Sequence, residues 1–225
     1  MFTKRLGPVW LCAGLLTWPV LADPAPGGSI LAGKVVVLDP GHATKNRAGA
    51  IINPGAQARH RGAYERDVAL AVGSRIVPIL EARGAKVFMT RTPRNPWRYA
   101  DHRLGDNRAR AIFANLLRGH AYVRLHCDWN RDRRFQGHTM YYFQWGSRPL
   151  AANINQALAK ALPDLRDNGV HRRSFVSVTA RMPTALVEMG VLSFKKEAQE
   201  LGDAAFQDKL ALAIADGITE YLVQN

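Results

Sequence analysis

The feature that most constrains this chain is an alternation of short apolar, β-branched runs with longer segments of helical periodicity. Residues 34–38 (KVVVL) form an unbroken apolar run, the pattern of a strand buried on both faces. Residues 85–90 (AKVFMT), 121–125 (AYVRL), 138–143 (HTMYYF) and 184–189 (TALVEM) repeat that signal. Between the first two runs, residues 65–83 place Val68, Leu70, Val72, Ile76 and Leu80 at helical spacing. Pro78 is expected to kink or shorten this helix, and Gly84 to stop it. Further helices are expected over residues 101–117, 147–162 with Ser147 as cap, 194–201 and 204–223. Strands and helices at this spacing predict one α/β domain: a mostly parallel, twisted sheet of about six strands with helices on both faces. The 225-residue length suits one domain rather than two. Residues 43–64, rich in Gly, Asn and Arg without apolar periodicity, read as a long functional loop.

The amino end reads differently. Lys4 and Arg5 precede an apolar stretch over residues 6–18, and Val20-Leu21-Ala22 suits a cleavage site, so residues 1–22 read as a signal peptide. The apolar stretch, 13 residues, falls short of the roughly 20 that a spanning helix needs, so no stable membrane insertion is expected. Residues 23–33 (DPAPGGSILAG) read as a Pro/Gly-rich leader and residues 34–225 as the folded domain. The chain is thus expected to be exported, with a periplasmic address favoured over an extracellular one. Cys12 lies in the signal, which leaves Cys127 alone and rules out an intramolecular disulfide.

In open parallel sheets, ligands bind at the carboxyl ends of the strands. His42 follows the first strand, His126 closes a later one, and Glu188 sits near the end of the last. Glu65 opens the first helix. Two imidazoles and one carboxylate form a known catalytic zinc set that leaves a fourth position for water. Glu188, a carboxylate inside an apolar run, is costly to bury without a partner and is placed as a general base. The spacing itself carries no short signature such as HExxH. Each residue also has a structural alternative. A strand-end histidine can be a hydrogen-bonded structural residue, and Glu65 can simply favour the helix N-terminus. His60, in the long loop, is a reserve ligand. His102, His120, His138 and His171 read as surface or packing residues.

At these residues the sequence resembles the zinc-dependent N-acetylmuramoyl-L-alanine amidases of the Amidase_3 type. The resemblance rests on VVVLDPGH (35–42), YERDVALAV (64–72), GAKVFMTRT (84–92), RAIFAN (110–115) and MPTALVEMGVLS (182–193), in that order. It implies that His42, Glu65 and His126 hold one zinc ion and that Glu188 is the catalytic base. The reaction it implies is hydrolysis of the amide between the lactyl group of N-acetylmuramic acid and L-alanine of peptidoglycan. The sequence departs from the family where Ala43-Thr44 stands in place of the usual glycines. It departs again where Arg124 and Cys127 flank His126, a segment commonly like SIHAN. Alternation puts Arg124 on the His126 side, as a salt bridge or as a contact to the stem peptide. Cys127 falls on the opposite side, as a buried inert thiol. Some relatives carry a helical insertion that plugs the site. The short passage from the 138–143 strand to the helix at Ser147 leaves no room for one, so no obligatory activator is expected.

The formal charge of +13 bears on partners. Arg103, Arg108, Arg110, Arg118, Arg131, Arg133, Arg134, Arg172 and Arg173 concentrate in the middle of the chain and read as a basic surface. Peptidoglycan or its fragments is the anionic partner that fits. Nucleic acid is not expected, since no binding motif accompanies the charge. The alternatives are a zinc peptidase cutting within the stem peptide and an inactive wall-binding module, although a module that only binds has no need of Glu188.

Overall fold

The computed structural model describes residues 29–225 except 47, 59–62, 98–102, 133 and 175–178. The signal peptide, most of the leader, His60, His102 and Arg133 therefore lie outside the described residues. The chain opens with β1 (Val35–Pro40), β2 (Thr44–Lys45), β3 (Ile51–Asn53), α1 (Glu65–Ala82), β4 (Lys86–Met89) and α2 (Arg103–Leu116). It continues with β5 (Ala121–Asp128), β6 (His138–Tyr142), a 3-10 turn (Trp145–Ser147) and α3 (Arg148–Ala161). It closes with β7 (Asp167–Arg172), β8 (Thr184–Val191), α4 (Lys195–Gly202) and α5 (Ala204–Gln224).

Six strands make one sheet in the order β4-β1-β5-β8-β6-β7. Every neighbouring pair is parallel except β6 and β8. The mostly parallel α/β architecture expected from the alternation is the one adopted. From β1 the chain steps outward to β4 and then returns to β5 on the other side of β1. Such a reversal opens a crevice between the carboxyl ends of the two central strands. The two crossover helices take opposite faces. Val36, Leu38, Val123 and Leu125 join Val68, Val72 and Ile76 of α1 in the main core. Val37 and Tyr122 meet Ala111 and Ala114 of α2 in a smaller one. On the main-core side α3 and α5 approach closely, since a Cβ on Gly217 would lie 2.4 Å from the Ile154 Cα.

Several local expectations are corrected. α1 is not shortened at Pro78 but continues to Ala82, because packing of Ile76 and Leu80 in the core outweighs one missing N–H. Gly84, at φ +91°, does stop it, with its N–H donating to Glu81 O at 2.8 Å. Ser147 does not cap α3 through its side chain; its Oγ accepts from Thr184 N–H at 3.0 Å and ties the turn to β8. The loop after β1 contains the β2–β3 hairpin. β7 was not expected at all, for its sequence DNGVHR is polar and it pairs only with β6 at the sheet edge. Packing begins inside the leader, where Leu31 is fully buried and its N–H donates to Arg83 O at 2.9 Å. Arg110 is no surface residue: it is 1% exposed, while Arg108, Arg118, Arg131, Arg134, Arg172 and Arg173 are exposed.

Candidate active site

His42 lies two residues beyond β1, in a turn that few residues tolerate. His42 and Ala43 both adopt left-handed backbone, at φ +63° and +56°. A Cβ there meets the following carbonyl, at a cost of about 1–2 kcal/mol per residue. The strain accounts for the glycine that the family resemblance leads one to expect at position 43, and here it falls on an alanine. The turn is held from outside. Arg110 Nη2 donates to His42 O at 2.9 Å, and Ala43 N–H donates to Asn53 O at 2.7 Å. Arg91 donates to Pro40 O at 2.9 Å and to Gly41 O at 2.7 Å.

Glu65 is the first residue of α1 and is buried. Its Oε2 accepts from Ala56 N–H at 2.8 Å, and its Oε1 accepts from Cys127 N–H at 3.2 Å. His126 sits within β5, which runs on to Asp128, and is paired in register with Glu188 on β8. The three residues meet at one point. His42 Nε2 and His126 Nδ1 lie 2.8 and 2.9 Å from Glu65 Oε1, and 3.1 Å from each other. His42, Glu65 and His126 form the one group of this kind among the described residues able to hold a metal ion.

The donor set passes two further tests of fit. Asn53 Oδ1 is 2.8 Å from His42 Nδ1. An amide oxygen only accepts, so Nδ1 donates to it and Nε2 is left pointing into the site toward Glu65, where it would give its lone pair to a bound metal. Two glycines also leave the space that the rings fill. A Cβ on Gly41 would lie 2.3 Å from His126 Cε1, and one on Gly55 2.8 Å from His42 Cγ. Asn53→Ala is expected to weaken metal binding about 10- to 100-fold, as loss of an orienting partner does elsewhere. Competition against a chromogenic chelator measures this. Unchanged affinity would mean that packing against Gly55 alone orients the ring.

Electrostatics separates the two carboxylates. Burial opposes ionisation of Glu65, but the hydrogen bonds with His126 and His42 outweigh it and hold its carboxyl well below the usual range. Burial pushes His126 down to about 4, with Arg124 adding to the shift. Glu188 is driven the other way, well above the usual carboxylate range, first by burial and then by the charges of Glu65 and Asp128. Its Oε2 is buried with no hydrogen-bond partner among the described residues. These groups line a cavity of about 300 Å³, with Asn53, Asn107, Arg124 and Leu186 completing its wall. A larger cavity of about 670 Å³, lined by Ala63, Val68, Ala71, Leu192 and Ala198, contains none of these groups.

All four residues singled out from the sequence are thus brought to one cavity. Arg124 forms the expected ion pair, with Nε donating to Asp39 Oδ2 at 3.0 Å, and it also donates to Asn107 Oδ1 at 2.7 Å. Cys127 is buried on the opposite side, and burial pushes its thiol well up. His138 is buried, while His120 and His171 are exposed. The residues that went unread are Asn53, Asn107 and Asp39. Asp39 had a signal available, the same one that marked Glu188: a carboxylate continuing an apolar run.

A crevice at a strand-order reversal, three converging side chains able to hold a metal ion and a buried carboxylate with an unpartnered oxygen beside them give this mostly parallel α/β domain the layout of a hydrolase. The sequence matches the N-acetylmuramoyl-L-alanine amidase family (Amidase_3) over residues 36–220, and the chain belongs to that family. Membership makes it a peptidoglycan amidase. It is 31% identical over 220 residues to the protein YqiI of Bacillus subtilis (strain 168), covering 95% of this chain and 96% of that one. The germination-specific N-acetylmuramoyl-L-alanine amidase of the same organism is 29% identical over 208 residues, 87% of this chain and 82% of the relative. Among solved structures, the catalytic domain of the amidase CwlV from Bacillus (Paenibacillus) polymyxa var. colistinus superposes with a TM-score of 0.72. That domain is 31% identical, over 84% of this chain and 98% of its own.

Proposed function

We propose that this chain is an exported, zinc-dependent amidase that hydrolyses the bond between the lactyl group of N-acetylmuramic acid and L-alanine. The observation that carries this reading is the meeting of His42 Nε2, Glu65 Oε1 and His126 Nδ1 in a cavity that Glu188 also faces. Zinc held by these three atoms supplies Lewis acidity toward the scissile carbonyl and makes water nucleophilic near neutral pH. The chain's own residues do the rest. Glu188 has an unpartnered oxygen and a raised proton affinity. It takes a proton from the attacking water and hands it to the departing amine of L-alanine. Arg124, anchored on Asp39 and Asn107, keeps a fixed positive charge in the cavity wall.

Export is supported by the signal-like residues 1–22. No helix among the described residues is long and apolar enough to cross a membrane. Only Phe143, Gln144 and the 3-10 turn separate β6 from α3, and this short link supports work without an activating partner.

Product analysis tests the reading. Purified enzyme with zinc is expected to release intact stem peptides with free L-alanine amino termini from sacculi, with no added protein, and to stop on chelation. Shorter peptides lacking L-alanine would make it a peptidase. Silence until a second protein is added would overturn independence from an activator.

A further inference from the structure

The sheet face that carries His126 and Glu188 continues sideways beyond β8. In the antiparallel pairing, Thr139 of β6 stands opposite Glu188, and Tyr141 stands opposite Leu186. His171 of β7 stands beside Tyr141. Residues paired across strands share a face, so Leu186, Glu188, Tyr141 and His171 lie along one surface that begins in the catalytic cavity. Arg173 follows Arg172 at the end of β7 and alternates back to that surface.

Arg173 is held there without an acid. Its guanidinium carbon lies 5.9 Å from the Tyr141 ring centroid. Its N–H donates to Tyr142 O at 2.7 Å, and its Nη1 donates to Arg172 O at 3.0 Å. His171 packs its ring 6.1 Å from Tyr141 and bonds through Nε2 to Asn168 O at 2.8 Å. Among the described residues no carboxylate pairs with Arg173, which is exposed. The cation is therefore held beside the Tyr141 ring, and among the described residues its charge is not spent on an acidic partner. Tyr141 also senses the catalytic end of this surface, for its phenol is pushed up by burial and by the charges of Asp128 and Glu188.

The antiparallel pairing sets Tyr141 opposite Leu186, one strand spacing across and two residues back from Glu188, ~8 Å in all. An extended peptide advances about 3.3–3.6 Å per residue. A stem peptide whose scissile amide sits beside Glu188 and that runs toward β6 thus brings its second or third residue over Tyr141, where the Arg173 guanidinium reaches back to the ring. We propose that Tyr141 and Arg173 form a subsite for a free carboxylate of the stem peptide, so that the enzyme distinguishes free from amidated stems. This subsite rests on the amidase reading above.

The test uses two muramoyl peptides that differ only in whether the carboxyl of the second stem residue is free or amidated. Wild-type enzyme is expected to prefer the free carboxylate by about fivefold in kcat/KM, the scale of an exposed but preset ion pair. Arg173→Ala should lose that preference while keeping the rate on the amidated peptide, Arg173→Lys should keep part of it, and Arg173→Glu should invert it. Equal wild-type rates on both peptides, or a parallel loss on both in Arg173→Ala, would overturn the subsite and leave the amidase standing. Cleavage of neither peptide by wild-type enzyme would overturn the amidase reading, and the subsite with it.

Discussion

Glu188→Gln is expected to lower kcat for amide hydrolysis about 10²- to 10⁴-fold, the range assigned to a positioned acid–base group. Zinc content and thermal stability should change little. Glutamine has nearly the same volume, and Glu188 Oε2 gives up no hydrogen bond among the described residues. Folding should tolerate the change well, because burial and the neighbouring Glu65 and Asp128 charges already disfavour an ionised group there. The rate falls because an amide can neither take the proton of the attacking water nor return it to the leaving amine. Rates on sacculi, beside metal analysis of the same preparation, check this. A variant that keeps more than about a tenth of wild-type activity would remove Glu188 from the proton transfer.

The largest expected loss of stability comes from Asp39→Ala. Asp39 is fully buried where β1 meets α2 and β5. Arg110 Nη1 and Thr90 Oγ1 donate to its Oδ1 at 2.7 and 2.6 Å; Arg124 Nε and Tyr122 OH donate to its Oδ2 at 3.0 and 2.9 Å. Arg110 reaches on to Asp106 at 3.1 Å and to the carbonyl of His42, so this hub also braces the ligand turn. Removing one partner of a buried charge network costs about 3–5 kcal/mol, a large part of a typical domain's stability. For a domain of this size the melting temperature should fall by about 10 °C or more. A shift within two or three degrees would mean that water enters and replaces the carboxylate.

The same groups set the response to acid. Asp39 sits well below the usual carboxylate range because Arg110, Arg124 and the Thr90 hydroxyl outweigh its burial. Its contribution is complete above the unfolded value of about 3.9 and is lost as pH falls below it. In the metal-free protein His126 acts earlier. Its folded value of about 4 lies below an unfolded value of about 6.5, so stability drains between those two pH values. Glu188 has the opposite sign, since its raised value makes the folded state the better proton acceptor. Urea midpoints of the metal-free Glu188→Gln protein, in which that opposing contribution is removed, should therefore fall from pH 7 to pH 5 and again toward pH 3.5.

The central strands and their helices were legible because a strand buried on both faces must be apolar throughout, as in Val35 to Leu38 and Thr184 to Val187. His42, Glu65, His126 and Glu188 were legible too, through strand-end placement, one carboxylate in an apolar run and a family resemblance. β7 was not, because a polar edge strand is defined by its neighbour β6 rather than by its own periodicity. Nor did composition separate Arg110 from the exposed arginines around it. Its burial follows from meeting Asp39, 71 positions away, across the sheet–helix boundary. Asn53 became visible only when the β2–β3 hairpin brought it 2.8 Å from His42. The sequence by itself determined which residue types and which elements the chain contains, because hydrophobic period and backbone preference are local. Tertiary structure alone decided which charges pair and which nitrogen of each histidine faces Glu65, because those depend on contacts between segments far apart in the chain.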